Sequence, residues 1–130
     1  MSEFFTTVSK TEARNISPVT LAFVGDAVYT LFVRQRLVAG HDYPTGTLQK
    51  LSSAEVSAHG QNALLARITP LLTEEETAVF KRGRNAKKPT RSKNATVAEY
   101  NNSTGLEALI GYLYLTGEYA RLEELLIEEE

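Results

Sequence analysis

The chain has 130 residues, 42% of them hydrophobic, enough to bury the core of one ordinary domain spanning residues 1–130. A formal net charge of −2 gives no global sign of a nucleic-acid partner, so any such signal has to be local. With no cysteine, disulfides, thiolate metal sites and cysteine nucleophiles are excluded, and the composition suits a reducing cytoplasm.

Residues 1–15 are mixed and polar, with Phe4 and Phe5 as expected anchors on the core. They lack the basic start and apolar run of a signal peptide. A helix is predicted over residues 17–40, because Ser17 can cap it, Pro18 loses nothing at the first helical position, and Gly40 can stop it. From Ile16 to Val33 the only charged side chain is Asp26. A helix apolar on all sides must be covered by its own domain, by a second chain or by lipid. Lipid does not fit: the run is short, and Asp26 would cost roughly 2.5–3.5 kcal/mol near a bilayer centre. The expectation is a buried central helix holding one acid. Asp26 then has two readings, a structural pair with a Thr, Tyr or Lys, or a metal ligand beside Gly25, where another backbone can approach closely.

Residues 41–47 read as a loop. Leu48, Leu51, Val56, Leu64, Leu65 and Ile68 recur at helical intervals, as two helices broken near Ser52 and Ser53 and ended by Thr69 and Pro70. Thr73 and Glu76 have capping-box spacing, with Gly83 as the expected close of that helix. Next comes KRGRNAKKPTRSK, in which Lys81, Arg82, Arg84, Lys87, Lys88, Arg91 and Lys93 make up half of the chain's fourteen basic residues, with no acid among them. It reads either as a solvated loop or as a polyanion contact. The local excess in an acidic chain favours the second, without distinguishing RNA from DNA, ribosome or lipid headgroups.

A second long helix is predicted over residues 94–116, stopped by Gly117. Its most apolar half contains Glu107. Glu99, Ser103 and Glu107 share a face, and Gly105 and Gly111 would let this helix pack closely on the one carrying Gly25 and Asp26. Two helices would then offer one carboxylate each to the same point. Such acids repel, and a divalent cation with oxygen ligands, Mg²⁺ or Mn²⁺, resolves the conflict. The chain ends in a short amphipathic helix with solubilising acids. No segment alternates with a period of two, so the fold class is all-α.

LAFVGDAVY resembles the signature block of ribonuclease III, usually LEFLGDAVL, and STGLEALIGYLYL resembles the second block of the same nuclease domain. With KRGRNAK before the second block and no room for a double-stranded RNA-binding domain, the resemblance narrows to the Mini-ribonuclease III branch. It implies a ribonuclease III-like helical endonuclease domain, a cytoplasmic homodimer that cuts double-stranded RNA with Mg²⁺ and matures the 23S ribosomal RNA precursor. Asp26 and Glu107 would be its catalytic and metal-binding residues, and the basic run its RNA contact. Larger members carry two further acids, at the positions of Ala22 and Thr104 here, and relatives commonly have an arginine where this chain has Asn101 and Asn102. The competing class is a non-catalytic protein on the same fold that holds structured RNA, for example during ribosome assembly.

Overall fold

The computed structural model describes residues 6–88 and 96–128, and every regular element among them is helical. In chain order these are α1 (Lys10–Arg14), α2 (Pro18–Val38), α3 (Thr45–Val56), α4 (Ala58–Ile68), α5 (Glu74–Asn85), α6 (Val97–Leu115) and α7 (Tyr119–Leu126), with one 3-10 turn, Thr69–Leu71, between α4 and α5. The all-α expectation holds. Phe4, Phe5, Arg91 and Lys93 lie outside the described residues.

Local chemistry explains most starts and stops. Pro18 opens α2, although the Ser17 side chain makes no capping hydrogen bond, and Gly40 turns the chain just past its end at φ +77°. Thr73 and Glu76 form the expected reciprocal capping box on α5. Thr96 and Glu99 form a second one, so α6 begins at Val97, three residues later than the apolar pattern suggested. Gly117 stops it at φ +78°.

Three further boundaries differ from the sequence reading. α3 begins at Thr45, inside the expected loop, with Pro44 as its extended N-cap. The break after α3 falls at Ser57, whose Oγ accepts from the Gly60 N–H at 3.1 Å; Ser52 is buried inside α3 and donates its hydroxyl to the Gln49 carbonyl. α5 continues through Gly83 to Asn85, because Gly83 serves packing and not termination: a Cβ there would lie 2.8 Å from Ala108 Cβ and 2.9 Å from Gly105 Cα.

The central helix is α6, not α2. It packs against α1, α2, α4, α5 and α7, and buries residues 103–106 and 108–113. Glycines on two of its sides make this possible. A Cβ on Gly25 would fall 1.7 Å from the Glu107 carbonyl oxygen, and one on Gly111 would fall 2.0 Å from that of Leu21, so α2 and α6 touch backbone to backbone. Gly105 faces Phe80 of α5, where the sequence reading had placed it against α2. Leu21, Val33, Ile68, Leu106 and Leu109 fill the centre, each contributing roughly 1.5–3 kcal/mol by leaving water. α2 is covered on one side only, and its other side presents Phe23, 80% exposed, and Leu31, 65% exposed. Among the described residues no helix is long and apolar enough to cross a membrane.

Candidate functional site

The Gly25 contact fixes the register of two acids. Because Gly25 rests on the Glu107 backbone, the next residue, Asp26, is brought to the Glu107 side chain. The expected meeting of the two carboxyls is present, but their burial is not equal. Asp26 is exposed, contrary to the expectation of a buried acid, and Glu107 is half-buried. α2 turns Asp26 toward its uncovered side, while α6 is enclosed by its neighbours.

The electrostatics follow from that asymmetry. Burial first, then the hydrogen bond to Asp26 and its negative charge, push the Glu107 carboxyl from 4.5 up to about 8. A hydrogen bond from Gln61 pulls weakly the other way. With a proton on Glu107 the carboxyl can donate to Asp26, whereas two ionised carboxyls at this point would repel. Oxygen donors that share negative charge in a partly dry site suit a hard divalent cation in place of that proton. Among the described residues no group of three or more His, Asp or Glu side chains gathers, so the protein's charged donors at this point are two.

Gln61 is the site residue that sequence reading missed. Its Nε2 donates to the Val56 carbonyl at 3.0 Å and to Glu107 Oε2 at 3.3 Å, while among the described residues its buried Oε1 has no hydrogen-bond partner. A glutamine in a polar stretch of helix gives no warning of such a contact, because its partner lies forty-six positions away. The two positions at which larger relatives carry acids are inert here: Ala22 is buried, and the Thr104 hydroxyl is turned back onto the Tyr100 carbonyl at 3.1 Å.

Beyond the pair, α4 and α6 share a polar seam. His59 Nδ1 lies 3.3 Å from Glu99 Oε2, Asn62 Nδ2 donates to the Glu99 carbonyl at 3.0 Å, and Asn102 Nδ2 donates to Asn62 Oδ1 at 3.1 Å. Asn102 is thus committed to the fold.

The basic run divides into engaged and available groups. Lys88 Nζ donates to the carbonyls of Arg84 and Ala86, capping the C-terminal end of α5, and partial burial lowers its pKa. Arg84 lies over the Phe80 ring at 5.7 Å and donates to Asn85. Lys81, Arg82 and Lys87 are exposed, and among the described residues they make no ion pair. Gly83, between Arg82 and Arg84, sits against Thr104, Gly105 and Ala108, so the basic end of α5 packs on the turns of α6 that flank Glu107.

The Ribonuclease III domain family matches residues 19–118, which include both acids and the basic run. The chain is 44% identical over 119 residues to a protein named Mini-ribonuclease 3 from Thermoanaerobacter sp., covering 92% of this chain and 84% of that one. It is 47% identical over 111 residues to the Mini-ribonuclease 3 of Symbiobacterium thermophilum, covering 85% of each. A crystal structure of a Fusobacterium nucleatum protein superposes with a TM-score of 0.79 at 35% identity, over 86% of this chain and 89% of the other.

Proposed function

The chain belongs to the ribonuclease III family, and from that premise we propose that it is a metal-dependent endoribonuclease that cuts double-stranded RNA at Asp26 and Glu107. The observation that carries this reading is the convergence of two carboxyls from different helices at a backbone contact that admits only glycine. Asp26 and Glu107 would hold Mg²⁺ or Mn²⁺. Their oxygen-only donor set, and the repulsion that lifts Glu107 to about 8, suit a hard cation that keeps several of its waters. When bound, such a cation lowers the pKa of water and offsets charge on a phosphodiester.

The protein's own part is placement. Gly25 and Gly111 set the distance between the helices, and with it the separation of the carboxyls. The exposed Lys81, Arg82 and Lys87 would meet backbone phosphates of an A-form duplex, which is recognised mainly by shape. Arg91 and Lys93 extend the same charge run in sequence.

We further assign the natural substrate to structured ribosomal RNA, the 23S precursor, processed in the cytoplasm by a homodimer. The exposed Phe23 and Leu31 support the dimer, since large apolar side chains on one helix face favour association. A two-fold pair of sites suits a duplex whose strands are themselves related by a pseudo-two-fold. Incubating a long RNA duplex with the protein, with Mg²⁺ and then with chelator, tests the activity. Shortening that requires Mg²⁺ is the expected result, and a shifted but uncut duplex would make the protein a binder. Phe23→Asp should convert the sedimenting species to monomer and abolish double-strand cutting.

A further inference from the structure

We propose that Gln61 is the positioning residue for Glu107, an amide clamp built from the α3–α4 corner that holds one carboxylate oxygen of the site in place. The inference rests on the reading of Asp26 and Glu107 as the cation-binding pair.

The geometry begins with a carbonyl. Val56 is the last residue of α3, so its oxygen is one that a helix end leaves without an intrahelical partner. Gln61 Nε2 satisfies it at 3.0 Å, and the second hydrogen on the same nitrogen is thereby directed to Glu107 Oε2 at 3.3 Å. The reverse amide orientation would set an oxygen against two acceptors, so the partners fix which end faces the site.

The corner behind the amide has little freedom. A Cβ on Gly60 would lie 2.3 Å from the Ala54 carbonyl oxygen and 2.6 Å from that of Glu55, so the first turn of α4 rests directly on the last turn of α3. Ser57 Oγ donates to the Ala54 carbonyl at 2.7 Å while accepting from Gly60. α4 is then tied to α6 by Asn62 on the Glu99 carbonyl and by Ser103 Oγ on the Ala58 carbonyl at 3.4 Å. Gln61 and Glu107 therefore face each other from backbones locked together independently of their own hydrogen bond.

A side chain needed only for packing would not look like this. Gln61 is 3% exposed, and among the described residues its buried Oε1 has no hydrogen-bond partner, a polar cost of burial that leucine would not incur. The fold bears that cost where the amide reaches a site carboxylate.

The test is Gln61→Met, which keeps the length and removes the donor, beside Gln61→Leu. Four readouts are taken: melting temperature, KM and kcat on a long RNA duplex, and Mn²⁺ affinity of the RNA-free protein by calorimetry. The proposal expects kcat and Mn²⁺ affinity to fall about 10- to 100-fold, as for residues that orient metal ligands, with KM and melting temperature near wild type. In a Glu107→Gln background, Gln61→Met should change Mn²⁺ binding no further. Wild-type kcat and Mn²⁺ affinity in the Met variant, or loss of folding in both variants, would overturn the clamp alone. A wild-type protein that neither binds Mn²⁺ nor cuts would overturn the underlying site reading with it.

Discussion

Two glutamates in this protein, one buried and one half-buried, have opposite fates. Glu76, 6% exposed, accepts from Arg121 Nε and Nη2 at 2.8 Å each and from the Thr73 N–H at 2.9 Å, and its carboxyl is held below its usual range, chiefly by Arg121. Glu107 meets another acid and a single amide hydrogen, and is pushed up to about 8. The first is complete within the fold. The second is complete only with something added, a proton or a cation, and that separates a structural carboxylate from one available for chemistry.

The sharpest way to break the contrast is to neutralise each acid in turn. Asp26→Asn and Glu107→Gln should each reduce duplex cleavage by about 10³-fold, some 4 kcal/mol of barrier, while leaving the fold and duplex affinity in place. A cleavage gel with a filter-binding assay separates the two effects. Near-wild-type cutting by either variant would remove the site.

Next in size is the other partner of the comparison. Arg121→Ala strands the Glu76 carboxylate in the core and should cost about 2–4 kcal/mol in urea denaturation, with kcat per folded molecule unchanged. A large loss of kcat would mean that the α5–α7 pair takes part in catalysis.

The same contrast sets opposite pH dependences in chelator. Glu107 is raised above its unfolded value of 4.5, so its contribution to stability is present below that pH and is lost as pH rises through about 8. Glu76 is lowered, so its contribution is present above 4.5 and is lost as pH falls. Between about pH 5 and pH 9 the metal-free protein should lose on the order of 2 kcal/mol, and Glu107→Gln should abolish that decline. An unchanged slope in the variant would place the titrating group elsewhere.

The smallest effect concerns charge at the rim. Arg82→Ala with Lys87→Ala should flatten the salt dependence of duplex binding by roughly 0.9 per lost phosphate contact, if B-DNA is a guide. Lys88→Ala, which removes a helix cap, should instead lower the melting temperature slightly and leave the slope alone. The reverse pattern would reassign the contacts.

How much of this was legible in the sequence follows the range of the interactions. Asp26 and Glu107 stood out because a charge in an apolar helix is visible locally, and the Thr73–Glu76 capping box because its partners are three residues apart. Gly25 and Gly111 were read correctly as a close crossing. Gly83 and Gly105 were not, since a glycine does not disclose which neighbour it admits. The salt bridge from Arg121 to Glu76 and the Gln61 contact span forty-five and forty-six positions, and no local pattern announces either. Asp26 was expected to be buried because α2 is apolar all round, but the chain covers that helix on one side only.

Calorimetric titration of Mn²⁺ into RNA-free protein tests most directly whether the unsatisfied pair is the cation site. Wild type and Glu76→Gln should bind with the same affinity, and Asp26→Asn and Glu107→Gln should bind weakly or not at all. Undiminished binding by Glu107→Gln would contradict the account.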